Sequence, residues 1–310
     1  MKRILSFTGI IVLLGFLIVF PSEALSASQK GMSLWLNTLV PTLLPFLILT
    51  GILIHTDGIE KILSPFRLFW KKMFGLSPCG AYAFLLGMLC GYPMGAKLSA
   101  DLYTSGKISR REAHYLLTFC SNPSPAFIIT YLGHICLEGK IPGRYLLIIF
   151  ILADFLCMLV FRFLICKNQT ETDISMEKKE TSIAGSPEAI ADVSIMNGFE
   201  TITRLGGYIL LFSILGACIN HFWPFPPVIK HLTLGCLEIT TGLHLLAQSP
   251  ISFTSQFLYS MALTSLGGFC ILAQTKSVLA GKLSLLPYML AKLMNAFFTV
   301  LLSLCFVKTF

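Results

Sequence analysis

Two apolar stretches of this 310-residue chain are broken by glycines and carry one lysine each. The first runs from Leu86 to Lys97 (LGMLCGYPMGAK) and the second from Leu266 to Lys276 (LGGFCILAQTK). Each is followed by another apolar segment holding an asparagine, Asn122 or Asn295. Interrupted backbone is tolerated at membrane depth only where it is buried in protein or lines a cavity. A matching pair of interrupted segments in two halves of a chain points to a transporter's binding site. The pattern predicts an all-α polytopic membrane protein, an inverted repeat with two re-entrant helical hairpins and broken helices.

Composition agrees. Hydrophobic residues make up 55% of the chain and charged residues 12%, and the mean hydropathy is +0.78. A soluble domain carries about 25% charged residues. The formal net charge of +8 does not signal nucleic acid, because most Lys and Arg fall in short loops between apolar spans, where they set orientation. The ten cysteines are scattered with no CxxC spacing, which argues for buried free thiols and against a metal site. No HExxH, no GxSxG and no paired intramembrane aspartates occur, so neither an enzyme nor a cofactor is expected.

Residues 1–33 read as an N-terminal transmembrane helix and loop. Lys2 and Arg3 before an apolar run, with Pro21, Ala24, Ser26 and Ala27 after it, resemble a signal peptide. The run from Ile4 to Phe20 nevertheless reaches the ~17 residues a span needs, which favours retention as the first helix. Residues 34–165 form a first repeat. It holds a span from Leu34 to Ile54 containing Pro41 and Pro45, then a basic surface helix from Gly58 to Phe74. A hairpin from Pro78 to Tyr103 follows, with Gly91, Pro93 and Gly95 at its tip. Ser109 to Glu112 is a capping box. The helix it starts breaks at Asn122-Pro123-Ser124-Pro125, about 20 Å along at ~1.5 Å per residue, and Tyr145 to Ile165 returns. Residues 166–194 are a polar cytoplasmic loop.

Residues 195–310 form the second repeat: a span from Ile195 to Phe222, an apolar helix from His231 to Gln248 carrying Glu238, a second hairpin from Ser252 to Gly281, and a last span from Leu285 to Val307. Counting crossings from a cytoplasmic N-terminus turns the second repeat upside down. Lys140 and Arg144 then sit on the outer side, against the positive-inside rule.

Lys97, Lys276 and Lys292 are cations within apolar surroundings. Each either snorkels to the interface along its alkyl stem or neutralises an anion, at a cost of at least ~2.5–3.5 kcal/mol if left bare at the membrane centre. After Glu200 the only acidic residue is Glu238, against six Lys and Arg, which favours an external anion. Half-helix N-termini at hairpin tips add partial positive charge. Asn122 and Asn295 offer donors and acceptors, or act as helix–helix glue. Ser99, Ser121, Ser124, Gln274 and Thr275 complete a candidate polar cavity. Glu238 either pairs with a lysine or serves a coupling ion. Asp154, inside a span, has no evident partner and reads by default as part of a structural pair. Gly87, Gly91, Gly95, Gly267 and Gly268, with Pro93, Pro123 and Pro125, are the candidate hairpin and hinge residues.

The runs Gly91-Tyr92-Pro93-Met94-Gly95-Ala96-Lys97, Ala100-Asp101-Leu102-Tyr103 and Phe119-Cys120-Ser121-Asn122-Pro123 resemble the YlbJ (SpoVV) family of sporulation integral membrane proteins. Val40 to Phe46 and Leu237 to Gly242 are similar to its flanking segments. The resemblance implies a nucleoside-recognition Gate domain in each repeat, and kinship with concentrative nucleoside transporters, whose ligand lies between opposed hairpins. It further implies a role in endospore formation, with dipicolinic acid passing from the mother cell across the outer forespore membrane, and trimeric assembly by analogy. Those transporters carry acidic residues at their hairpins where this chain has Lys97 and Lys276, a departure that suits a small dicarboxylate better than a nucleoside. Nucleoside transport and a non-transporting structural or signalling role are the alternatives.

Overall fold

The computed structural model describes residues 2–55, 63–166, 187–224 and 226–309. The start of the expected surface helix and residues 167–186 of the expected polar loop lie outside them. Among the described residues there is helix and connecting turn but no strand, as the hydropathy pattern predicts.

The chain opens with α1 (Lys2–Val19) and α2 (Pro21–Leu34). Pro21 sits in the first turn of α2, where a missing N–H costs nothing, so residues 21–33 are helical rather than the loop expected there. A π turn, Trp35–Leu39, joins α2 to α3 (Val40–His55). The run from Pro21 to His55 is thus one 35-residue apolar helix, and Pro45 does not end it.

Next come the amphipathic α4 (Arg67–Phe74), α5 (Pro78–Cys90), α6 (Met94–Thr104), α7 (Arg110–Leu116), a π helix at Phe127–Cys136 and α8 (Gly143–Cys166). The second half comprises α9 (Pro187–Phe222), α10 (Pro227–Leu237), α11 (Ile239–Ala247), α12 (Phe253–Leu266), α13 (Gly268–Leu279) and α14 (Leu286–Thr309). Helix α9 begins at Pro187, so residues 187–194 of the expected polar loop are its first two turns. Among the described residues, five helical runs are long and apolar enough to cross a membrane: 21–55, 143–164, 187–222, 253–279 and 286–307.

Two hairpins are present, and one lies where the sequence places it. Helices α5 and α6 fold back at Gly91-Tyr92-Pro93, with a cis Tyr92–Pro93 bond. A Cβ on Gly87 would lie 2.8 Å from Gly95 Cα, and Cβ atoms on Gly87 and Gly95 would lie 2.2 and 1.9 Å from the carbonyl oxygen of Cys120. Only hydrogen fits between these three backbones. Gly91 turns the corner with φ +83° against the Ser124 backbone.

The second hairpin is displaced from its expected position. Residues 253–279 form one apolar span that is interrupted but not folded back. The reversal occurs earlier, between α10 and α11. A Cβ on Gly242 would lie 2.0 Å from Gly235 Cα, and at the hairpin's open end His231 Nδ1 meets Ser249 Oγ. Seven residues of continuous helix would separate Gly235 from Gly242 by about 10 Å. The expected single helix from His231 to Gln248 is therefore the hairpin.

With that correction the halves match in order. Each has a long helix (Pro21–His55, Pro187–Phe222), a hairpin (α5/α6, α10/α11), a broken helix (α7 with the π helix, α12 with α13) and a closing helix (α8, α14). If each hairpin enters and leaves on one side, and if α7 with the π helix crosses as the run 253–279 does, each half crosses three times, an odd number, which inverts the second half relative to the first. Two of the apolar cores cut across that division, each drawing on both halves. One gathers around α5, α6 and α7, the other around the π helix, α11 and α12.

The two long helices run antiparallel and close on each other through small residues. Gly31 faces Ser213, the Trp35 indole lies on Gly206 with Nε1 donating to the Ile202 carbonyl at 2.9 Å, Gly198 faces Leu44 and Ile48, and Gly51 faces Ser194.

Candidate functional site

Both hairpin tips converge on the break between α12 and α13. The Tyr92 hydroxyl donates to the Thr264 carbonyl at 2.6 Å, and a Cβ on Gly267 would lie 3.5 Å from Tyr92 Cζ. On the other side, a Cβ on Gly268 would lie 3.0–3.4 Å from the carbonyl oxygens of Gly235, Cys236 and Leu237, the last turn of α10. Gly267 and Gly268 both have positive φ. They are therefore a hinge between two tips, not a tip themselves. The other break, Asn122 to Pro125, lies against the first tip through Ser124.

Behind these breaks sits a buried polar network built on one face of α14. Tyr288, Lys292, Asn295, Thr299 and Ser303 recur at spacings of three and four and are all buried. Lys292 Nζ donates to Asn122 Oδ1 at 2.6 Å and lies 4.7 Å from the ring centre of Tyr92 and 5.6 Å from that of Tyr288. Asn295 Nδ2 donates to Asp154 on α8, and Asn295 Oδ1 accepts from Ser265 on α12. Thr299 closes the file onto Ser265 at 3.3 Å. Thus one asparagine holds the ammonium and another holds the carboxylate, and the two charges interact electrostatically. Removing either partner of a buried charge pair costs about 3–5 kcal/mol, since the other is left uncompensated.

Asn122, Asn295 and Lys292 are therefore brought together, with Asp154 held by Asn295. Ser121 is buried beside Cys120, while Ser124 accepts from the Phe127 amide at 3.3 Å and starts the next helix. Ser99 donates to the Gly95 carbonyl. Gln274 donates to Cys270 Sγ. Thr275 is buried with its hydroxyl unpaired, close to that of Tyr288.

Three expected charges lie elsewhere. Lys97 is clamped by Asp101 one turn on, at 2.6 and 2.7 Å from its two oxygens. Lys276 is exposed and lines neither cavity described here. Glu238 pairs with no lysine. It is the N-cap of α11, accepting from the amides and hydroxyls of both Thr240 and Thr241 at 2.7–3.0 Å. The reason is local: a helix N-terminus offers free donors two and three residues away. The positive end of α11 is thereby already occupied. The capping box at Ser109 is also only half formed. Ser109 Oγ accepts from the Glu112 amide, but the Glu112 carboxylate accepts from the Ser77 amide at 2.7 Å, tying α7 to the base of the first hairpin.

Two clefts lie along α9, one against residues 197–204 in its first half and one against residues 213–220 toward its C-terminus, and the network residues line neither. One, of about 430 Å³, lies between α3, α6, α9 and α13, with Lys97, Asp101, Glu200 and Arg204 on its walls. The other, of about 700 Å³, lies between α2, α9 and α11, with Lys30, Asn220, Thr240 and His244 on its walls. Each abuts one hairpin. Tyr92, Ser265 and Thr299 were missed in sequence. Tyr92 lies inside the first broken motif, and Thr299 follows Lys292 and Asn295 at helical spacing, so both signals were legible.

Fold and site together define an all-helical polytopic membrane protein of two matched halves, with paired hairpins and broken helices enclosing a buried ionisable network. No family model matches the chain, and no solved structure matches it. Over 312 aligned residues it is 24% identical to the sporulation integral membrane protein YlbJ of Bacillus subtilis (strain 168), covering 89% of this chain and 75% of that protein. A likeness of that extent supports the YlbJ family and an integral membrane protein related to sporulation.

Proposed function

We propose that this chain carries a small planar dicarboxylate of the dipicolinate type across the outer forespore membrane by alternating access. The observation that supports this most is the convergence of both hairpin tips on the Gly267–Gly268 hinge, beside the network of Lys292, Asn122, Asp154 and Asn295. Two separate clefts along α9, each against one hairpin, suit the two vestibules such a cycle uses. Lys292 is the group that meets a carboxylate, its ammonium having two further protons beyond the one given to Asn122. The rings of Tyr92 and Tyr288 beside it suit a flat cargo. Lys97 and Arg204 line the cleft beside the first hairpin, each balanced by its own acid, and Lys282 on the same wall supplies the net positive charge that steers anions toward it.

Proteoliposome uptake of labelled dipicolinate tests the reading. Wild-type protein accumulates it, Lys292→Met does not, Lys276→Ala matches wild type, and uridine fails to compete. Folded wild-type protein that moves no dipicolinate would overturn the proposal in favour of a structural role, and competition by uridine would overturn it in favour of nucleosides.

A further inference from the structure

The two buried acids of the second half and of α8 are satisfied very differently. A carboxylate offers about four acceptor positions. Glu238 fills them with four donors from Thr240 and Thr241. Asp154, only 5% exposed, receives one recorded donor, Asn295 Nδ2. A buried anion with a single donor is poorly stabilised, whereas a carboxylic acid in that place needs fewer partners. Its counter-charge, Lys292, is the group assigned above to the cargo. When a cargo carboxylate takes up that ammonium, Asp154 faces a second negative charge inside a low-dielectric core.

We propose that Asp154 is a proton-binding site, loaded when anionic cargo binds Lys292 and emptied when the cargo leaves. The inference rests on the transport reading. The step is a simple protonation: a proton from the open aqueous side joins a carboxylate oxygen of Asp154, and the same proton departs on the other side with the cargo. Without cargo, Lys292 and Asp154 cancel each other. With cargo, the ammonium balances one of the two cargo carboxylates and the acid is neutral.

The surroundings of Asp154 allow this. Helix α8 packs against α7, the π helix and α14. From α14 it faces Lys292, from the first hairpin tip Tyr92, and on its own helix Cys157. The π helix contributes Tyr131, which interacts with Cys136 and with Glu238, and the exposed His134. From α7, His114 accepts from the Ser284 amide. A file of hydroxyls leads away from Asn295 through Ser265 and Thr299. One turn beyond Thr299, Ser303 is fully buried with an unpaired hydroxyl, as are Ser260 and Thr264 on α12.

Two transport modes separate this inference from the one beneath it. Liposomes loaded with unlabelled dipicolinate exchange it for labelled dipicolinate without any gradient. Wild type performs that exchange, and Asp154→Asn, which mimics the neutral acid, is read as the ratio of its gradient-driven accumulation to its own exchange rate. With the membrane potential clamped at zero, an inward proton gradient drives wild-type accumulation approaching roughly tenfold per pH unit for one proton per cargo, and the variant shows none. Exchange without gradient-driven accumulation by wild type, or accumulation retained in Asp154→Asn, overturns the proton site and leaves transport standing. No exchange by wild type removes the transport reading and this inference together. If Asp154→Asn does not fold, infrared spectroscopy of wild-type protein labelled with 13C-aspartate decides. A carboxylic-acid band that grows on dipicolinate addition supports the site, and an unchanged spectrum overturns it.

Discussion

Gly242→Ala tests where the second hairpin lies. The added methyl would sit 2.0 Å from Gly235 Cα and 2.4 Å from Gly235 N. Carbon atoms rest about 3.5–4.0 Å apart, so α10 and α11 must part by roughly 1.5–2 Å. Both obstacles are backbone and cannot rotate away. Overpacking of this kind costs about 1–3 kcal/mol, and the upper half of that range is expected, because the Glu238 cap and the Tyr131–Thr240 bond oppose the movement. At about 2–4 °C per kcal/mol for a chain of 150–250 residues, the melting midpoint falls by roughly 4–12 °C. Gly207→Ala is the control, since a Cβ there meets nothing within 4 Å. The assay is the fraction of monodisperse protein left after heating in detergent, read by size exclusion. Equal midpoints for Gly242→Ala and Gly207→Ala would refute the reasoning, because a straight helix from 227 to 247 accepts alanine at either site.

Lys292→Met destabilises by about 3–5 kcal/mol by leaving Asp154 uncompensated, and adding Asp154→Asn recovers part of that loss in the same heating assay. Tyr92→Phe removes the bond to the Thr264 carbonyl, costs about 0.5–1.5 kcal/mol, and slows uptake by loosening the first tip from the hinge. Glu238→Ala strips the α11 cap and costs about 0.5–2 kcal/mol, measured as a lower melting midpoint with no change in substrate selectivity. Lys97→Ala leaves the melting midpoint within a few degrees, since a partly exposed i,i+4 pair contributes about 0.3–0.5 kcal/mol, and raises the concentration of dipicolinate needed for half-maximal uptake.

The fold class, the first hairpin and the Asn122 break were legible because each is written in local residues: Gly, Pro and a run of apolar neighbours. The second hairpin was not. Gly267-Gly268 is the louder signal, but two adjacent glycines with positive φ interrupt a helix without reversing it. The quieter signal was Gly235 and Gly242 flanking Glu238-Ile239-Thr240-Thr241, small residues that let two backbones touch and an acid followed by the donors it caps. The lysines misled for a related reason. Sequence shows that Lys97 and Lys276 adjoin broken segments but not that Lys276 is exposed, whereas Asp101, four residues after Lys97, was legible as its helical partner. Lys292 and Asp154 are 138 positions apart, and only the packing of α14 on α8 joins them.

The seam of Gly31, Trp35, Gly51, Gly198 and Gly206 along the two longest helices leaves no slack for one to slide past the other. A single indole seated on a bare backbone, with its N–H fastened to the neighbouring strut, works as a dowel. Whatever flexes during turnover is then displaced onto the lighter half of the molecule, and stiffening that half should arrest the cycle while the splinted pair stays still.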